Sequence, residues 1–445
     1  MHPLRSAALT GISLLAAIAV SPIAGAQTSP LATADQVALE KQAARILATK
    51  SVQDQVGFVT GTLAANPFAQ TPEGAATLPG AAREIVFAGV VDTIDRDPSR
   101  PRLEWLWSPP HQWFGVATPV SKVLMPNVDN VFRIVPVDGV SHYRITARPS
   151  GPIPTQFSLQ LLPSLPAEDS WSKVLQELID ADIQKQPDGS FTLTIGPEAA
   201  AGQTNHIATT PASHFILIRD TIQDWGAETP YRLEVTRLDG PPPAAAPNDA
   251  ALAEQAGALI HQIAPHILDA RGGGFANSPG FFHGEANQLS PPKVREGGRW
   301  GLSSAGHFKL DDDDALVITL DPMGAKYLAI QLASGWLGSL DYIHHTASLN
   351  LAQTTPNADG TVTFVVAARD PGAANWLDTT GLHEGTLFVR WQKLPDNLAP
   401  DAQGVREARL VKLSALPVSL PRVTPEERRS KLAARAAAYA RRFAE

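Results

Sequence analysis

The residues best suited to chemistry gather between Leu340 and Gln353, in the run Leu-Asp-Tyr-Ile-His-His-Thr-Ala-Ser-Leu-Asn-Leu-Ala-Gln. Read with the two-residue period of a strand, Tyr342, His344, Thr346, Ser348 and Asn350 share one face. Ile343, His345, Ala347, Leu349 and Leu351 share the other. The first face carries imidazole, hydroxyl and amide groups without Lys or Glu, so it can line a pocket with donors and acceptors. On that reading His344 is a general base, with Asp378 or Asp341 orienting it or supplying the acid. Tyr342, Ser348, Asn350, Asn375, Trp376, Arg390 and Trp336 would hold the substrate. The plainer alternative is a half-solvated strand with an ordinary polar face. Trp300, Trp336, Trp376 and Trp391 favour a flat or apolar substrate.

Other chemistries lack their residues. The 445-residue chain has no Cys, which excludes disulfides, thiolate zinc sites, iron–sulfur clusters and a thiol nucleophile. His-Glu-x-x-His and His-x-His are absent, and His344 and His345 on one strand would point to opposite faces, so no metal is expected. Asp311 to Asp314 lacks the spaced carboxylates and Gly of a calcium loop and reads as a hairpin turn. Gly-x-Ser-x-Gly is absent. Gly272-Gly273-Gly274 follows a helix instead of a strand, so no nucleotide cofactor is expected. A net charge of −8 argues against nucleic acid as a partner.

The elements that must position these residues begin after an export signal. Arg5, the apolar run Ala7 to Val20 and the small-residue site Ala24-Gly25-Ala26 predict cleavage before Gln27 and a periplasmic or secreted protein. No other stretch has membrane length, so stable membrane insertion is not expected. Residues 27–82 read as a helical segment. Ile85 to Val91 reads as a strand, and Trp171 to Ile183 has a helical stripe. Asp249 to Ala270 reads as a helix kinked or stopped at Pro265. Residues 271–299 read as a Gly- and Pro-rich loop, a linker or a mobile cover over a site. Thr424-Pro425-Glu426-Glu427 is a capping box opening a terminal helix, read as solvated because its apolar positions are mostly Ala.

The main organising feature is an internal repeat. Ile145-Thr146-x-x-Pro149-x-Gly151 recurs as Ile318-Thr319-x-x-Pro322-x-Gly324. Phe157-x-x-Gln160-Leu161 recurs as Leu328-x-x-Gln331-Leu332, and Asp188-Gly189 as Asp359-Gly360. Asn205 matches Asn375, and the strand ending at Arg219 matches the strand ending at Arg390. The offset stays between 170 and 173 residues, too long for a solenoid. The fold class is therefore mainly β: two related antiparallel, jelly-roll-like β-sandwiches at 83–240 and 300–423, joined across 241–299 and followed by a helix at 424–445. Residues in both copies are expected to serve the fold. Those in one copy, such as His344, Ser348, Asn350, Trp376 and Asp378, are freer for chemistry.

Several of these residues carry a resemblance. Ser339-Leu340-Asp341-Tyr342, Ser348-Leu349-Asn350, Arg369-Asp370-Pro371-Gly372, Asn375-Trp376-Leu377-Asp378-Thr379 and Gly385-Thr386-Leu387 resemble exported bacterial proteins of domain-of-unknown-function family 1214. Asp129-Asn130-Val131-Phe132-Arg133 looks like the segment that accompanies it. The resemblance implies a β-rich, exported protein, often associated with the 1254 family. It departs at Gly381-Leu382-His383-Glu384, where Gly-His-Arg is expected. Two functions stand open: an acid–base hydrolase, lyase or isomerase acting on a flat or apolar small molecule, and a non-catalytic module binding a glycan or envelope component.

Overall fold

The computed structural model of the protein describes residues 29–166, 168, 174–268, 284–294, 299–398 and 402–444. The predicted signal segment, Trp171 and residues 271–283 lie outside the described residues. The chain opens with helices. Thr33 caps α1 (Ala34–Leu47) by accepting from the Gln36 amide, and α2 (Lys50–Gln53) and α3 (Gln55–Leu63) follow. Thr71 caps α4 (Pro72–Ile94), with Pro72 in the first turn.

The Ile85–Val91 segment, expected as a strand, is the second half of α4. Every residue from Ile85 to Ile94 is buried, because α4 packs against α1, α3 and α5 (Asp249–Leu268). A helix covered on all sides loses its polar stripe, and a short apolar run then mimics a buried strand. Gly89 permits this closeness: a Cβ there would stand 2.5 Å from Cγ1 of Ile260 on α5. Helix α5 also runs through Pro265 instead of stopping there.

Next come β1 (Glu104–Leu106), a hairpin of β2 (His111–Trp113) and β3 (Val116–Thr118), then β4 (Asn130–Pro136), β5 (Tyr143–Arg148) and β6 (Gln156–Leu162). They are followed by β7 (Gln176–Ile179), β8 (Phe191–Gly196), β9 (His206–Ala208), β10 (Phe215–Thr221) and β11 (Arg232–Arg237). They form a five-stranded sheet ordered β1-β4-β10-β6-β7 and a four-stranded sheet ordered β11-β5-β8-β9. After α5 the pattern repeats with β12 (Gln288–Leu289), β13 (Lys293–Val294), β14 (Gly301–Lys309), β15 (Asp314–Leu320) and β16 (Tyr327–Ala333). It ends with β17 (Ser348–Asn350), β18 (Val362–Ala367), β19 (Trp376–Asp378), β20 (Glu384–Gln392) and β21 (Val405–Lys412). Their sheets run β12-β14-β20-β16-β17 and β19-β18-β15-β21, the same order strand for strand. Each copy even keeps its parallel pair, β8 with β9 and β18 with β19. The duplication of an antiparallel sandwich is thus a fact of topology. Its turns repeat too: Gly189 and Gly360 take φ of 80° and 83°, and the preceding Asp carboxylates accept from the Ser190 and Thr361 amides.

Three other expectations change. Gln176–Ile179, placed on a helical stripe, is β7, antiparallel to β6. The strand expected over 342–350 is only Ser348–Asn350; Tyr342 to His344 form a turn. The terminal helix α6 (Pro425–Ala440) has the expected capping box but is docked instead of solvated. Arg435 donates to the Tyr342 carbonyl at 2.6 Å, to Gln353 Oε1 at 3.0 Å and to Ser348 Oγ at 2.9 Å, with its guanidinium 4.3 Å from the Trp225 ring. Arg428, Arg435 and Tyr439, not Ala, make this helix's buried face.

In both inner sheets, alternate residues face opposite cores. Ile216 and Ile218 of β10 fill the first sandwich, and Leu387 and Val389 of β20 fill the second. Phe215 and Leu217, with Phe388, join a third core that includes Val86, Val90, Ile260 and Ile263 of the helices. Each such fully buried side chain is worth about 1.5–3 kcal/mol. The helices therefore fix the outer faces of the two inner sheets against one body, and these faces also carry the buried polar residues described next.

Candidate functional site

The residues singled out in the 340–390 region separate into two sets. His344 lies on the turn, with its side chain 67% exposed, and its Nδ1 stands 2.9 Å from Asp341 Oδ2. The Asp341 carboxylate also caps the turn, accepting from the Ile343 and His344 amides. The neighbour of Asp378 is His345, at 2.7 Å, and not His344. Asp378 Oδ1 meanwhile accepts from the Thr380 amide. The postulated His344–Asp378 pair is therefore not formed, because the turn at 342–345 breaks the strand period that put His344 beside the site.

The remaining candidates are tied into the fold. Tyr342 Oη meets Tyr439 Oη at 3.0 Å, and Ser348 accepts from Arg435. Asn350 donates to the Gln223 carbonyl, and Asn375 donates to the Thr355 and Thr363 carbonyls. Trp376 Nε1 donates to the Ala367 carbonyl and Trp336 Nε1 to Thr77 Oγ1. Of the substrate-holding set, Arg390 alone belongs to the arrangement below.

That arrangement comes from the repeat itself. On β10 the register places Arg219 between Phe132 of β4 and Ser158 of β6. On β20 it places Arg390 between Ser303 of β14 and Ala329 of β16. Gln160 and Gln331 sit two residues further along their strands, on the same face, so each Gln reaches the Arg of its own copy. Arg219 Nη2 donates to Gln160 Oε1 at 2.7 Å, and Arg390 Nη1 donates to Gln331 Oε1 at 3.1 Å. The copies touch here as well: Thr221 Oγ1 donates to Gln392 Oε1 at 3.2 Å.

The two guanidiniums are buried, 8% and 6% exposed, and neither forms an ion pair with a described residue. Burial pushes each down to about 10, and for Arg390 the charge of Arg219 adds to the fall. Both remain cationic at neutral pH. Their coordination then differs. Arg390 Nη2 donates to the Met125 carbonyl at 2.7 Å, supplied by the segment ahead of β4 that crosses onto the second copy. Leu124 and Met125 hold φ of 65° and 51°, an unfavourable backbone for non-Gly residues that the surrounding contacts enforce.

Arg219 has no such cover. Its Nη1 is buried without a hydrogen-bond partner among the described residues, and so are Nε1 of Trp300 and Nε1 of Trp107. The Arg219 guanidinium lies 5.9 Å from the Trp300 ring centre and 5.8 Å from that of Phe132. Trp107, at φ 53°, meets Phe132 edge-on at 4.8 Å. Behind Arg219, Gln160 Nε2 donates to Glu177 Oε1 at 2.6 Å, and Glu177 Oε2 accepts from the Arg299 amide. Three unsatisfied donors beside aromatic walls form a place for an acceptor group. Arg219, Gln160 and Phe132 were absent from the sequence-derived site. Their signal was present, an Arg and a Gln repeated at one offset on apolar strands, but repetition pointed to the fold.

Among the described residues no group of three His, Asp or Glu side chains could hold a metal ion, and no helix is long and apolar enough to cross a membrane.

Comparison with known proteins agrees with the fold. Residues 134–220 match the model of a family described as protein of unknown function, DUF1214. The resemblance to family 1214 therefore holds, and the match covers the first copy through Arg219, although the resemblance was carried mostly by motifs of the second. A crystal structure of an uncharacterised protein from Burkholderia cenocepacia is similar, with a TM-score of 0.66 and 27% identity over 84% of this chain and all of that one. A Vibrio parahaemolyticus protein aligns at 11% identity over 65% of this chain and 90% of its own, with a TM-score of 0.38, too low to carry an argument. No curated protein matches the chain.

Proposed function

We propose that this is an exported binding protein that holds a small molecule between its two inner sheets, at Arg219, Trp300 and Phe132. The observation carrying this reading is the set of buried donors at Arg219 Nη1, Trp300 Nε1 and Trp107 Nε1 that no described residue satisfies. An unpaired buried donor costs about 1–3 kcal/mol, so three together favour a role outside folding. Acid–base catalysis is less well supported, because the pairs His344–Asp341 and His345–Asp378 sit on an outer turn with both imidazoles substantially exposed. Export rests on Arg5, the apolar run to Val20 and Ala24-Gly25-Ala26.

The test is native mass spectrometry of protein purified from its own periplasm or medium. A bound small molecule is expected, along with a mature N-terminus at Gln27. Ser158→Phe, which puts a ring at the buried β6 position paired with Arg219, is expected to lose the molecule while keeping the wild-type circular dichroism spectrum. Retention of the same molecule by folded Ser158→Phe protein would place the ligand elsewhere.

A further inference from the structure

We infer that the ligand held at Arg219 is a carboxylate with a flat, unsaturated body, its carboxylate meeting Arg219 Nη1 and Trp300 Nε1 and its body lying among Trp300, Phe132 and Trp107. This rests on the reading of the inner-sheet site given above and names its ligand class.

The polarity of the open groups sets the charge. The atoms of Arg219, Trp300 and Trp107 that lack partners among the described residues are all N–H donors, on one guanidinium and two indoles. A neutral ligand with equal numbers of donors and acceptors would leave its own donors facing them. The charge inventory points the same way. Both guanidiniums are buried; the Asp129 carboxylate supports the charge of Arg390 while Arg219 opposes it, and neither Arg is ion-paired with a described residue. The carboxylate acting on Arg219, Glu177, is already bonded to Gln160 and the Arg299 amide. An incoming anion would add a counter-charge bonded directly to Arg219 in a low-dielectric site, where a charge-assisted hydrogen bond is about twice as strong as a neutral one.

The walls set the body. Trp300 and Phe132 stand at nearly equal distance from Arg219, and Phe388 lies 3.8 Å from the Arg390 guanidinium. Ring faces at these positions accept a planar group by stacking. A glycan would need several donor–acceptor pairs spread across the surface, whereas the open groups here are donors.

The duplicated fold explains why one Arg is open. In the second copy the Met125 carbonyl occupies Arg390 Nη2. A backbone carbonyl is a neutral acceptor, so Arg390 already holds in permanent form part of what Arg219 would receive from a ligand.

The test is tryptophan fluorescence titration of the mature protein, stripped of ligand by partial unfolding and refolding, at neutral pH. The probes are matched pairs of benzoate with benzamide, cinnamate with cinnamamide, and sorbate with its amide. At least one acid is expected to bind ten-fold or more tightly than its amide. Arg219→Met should erase that preference, and Arg219→Lys should restore part of it. Equal binding of acids and amides overturns the carboxylate class and leaves the inner-sheet site standing. Binding of neither class overturns it too. In that case a neutral molecule found by native mass spectrometry and lost from Ser158→Phe would keep the site itself. An acid preference that survives in folded Arg219→Met protein also overturns the assignment.

Discussion

Arg219 and Arg390 occupy the same place in two copies of one sandwich, and they differ in what completes them. Each is bonded to the Gln of its own copy. Arg390 then meets the Met125 carbonyl, while Nη1 of Arg219 has no hydrogen-bond partner among the described residues. Duplication thus supplied two equivalent buried cations, and the chain between strands sealed one. Residues repeated in both copies need not be structural: a repeated residue serves the fold where its partners are complete and is available for chemistry where they are not. The same contrast appears one position along. The first sandwich buries an ion pair of Arg133 with Asp220, and the second has Ser304 and Trp391 at the matching positions.

The largest effect expected from this comparison concerns that ion pair. Asp220 Oδ1 accepts from the Tyr231 amide, and its other oxygen holds Arg133, which also donates to the Tyr231 carbonyl. Asp220→Ala leaves Arg133 buried without its counter-charge, at an expected cost of about 3–5 kcal/mol in urea unfolding. Substituting the second copy's arrangement, Arg133→Ser with Asp220→Trp, should cost less than Asp220→Ala if the two sandwich cores are equivalent. A larger cost would show that the copies' cores have diverged.

A second difference is acidic. Glu104 of β1 and Asp92 of α4 are buried beside the first copy, whereas β12, the strand matching β1, is Gln288–Leu289. Burial pushes Asp92 from 3.8 up to about 7, with Arg96 opposing the rise and Glu168 adding to it. Burial also raises Glu104, and the charges of Asp95 and Asp92 raise it further. A raised folded value means that the folded state holds the proton more tightly. The stability gained is full below the ordinary value of 3.8 and is lost as the pH climbs through about 7. Unfolding free energy should fall by about 2–4 kcal/mol across that window. Asp92→Asn should flatten the slope, and an unchanged slope would remove Asp92 as its source.

The third prediction addresses the two Arg residues directly. Arg390→Met strips a donor from the Met125 carbonyl and from Gln331, and should cost about 1–3 kcal/mol. Arg219→Met removes a buried charge with one hydrogen bond to a described residue, so the ligand-free protein should change by less than about 1 kcal/mol, in either direction. Equal losses in the two variants would mean that Arg219 is satisfied after all.

Much of the fold was legible because it rests on local rules repeated twice. The Asp188-Gly189 and Asp359-Gly360 turns, the Thr424 capping box and the paired strands all use short-range chemistry. Misread elements were those whose partners are distant. Ile85–Val91 became helix because α5 covers it, and Gln176–Ile179 became strand because β6 offers an edge. For the candidate site the sequence showed the repeated Arg and Gln. It could not show that the Met125 segment crosses to the other copy and closes Arg390 alone.

The smallest expected effect falls on the exposed histidine of the 342–345 turn. His344 is two-thirds exposed, and its bond to Asp341 joins two solvent-accessible side chains. Exposed pairs of this kind contribute about 0–1 kcal/mol, and Asp341 still caps the turn through the Ile343 and His344 amides when the imidazole is gone. His344→Ala should therefore shift unfolding by less than about 0.5 kcal/mol and leave ligand retention unchanged. Asp341→Ala, which removes the cap as well, should cost about 1 kcal/mol. Both are read by urea unfolding and by native mass spectrometry of the bound molecule. The pair of variants separates two origins for the polar turn. If retention survives both, the turn serves the chain's local geometry and the ligand lies with Arg219. If His344→Ala releases the ligand while the fold holds, an exposed imidazole on the second copy is doing what the first copy's buried guanidinium was assigned, and the division between a sealed copy and an open one is reversed.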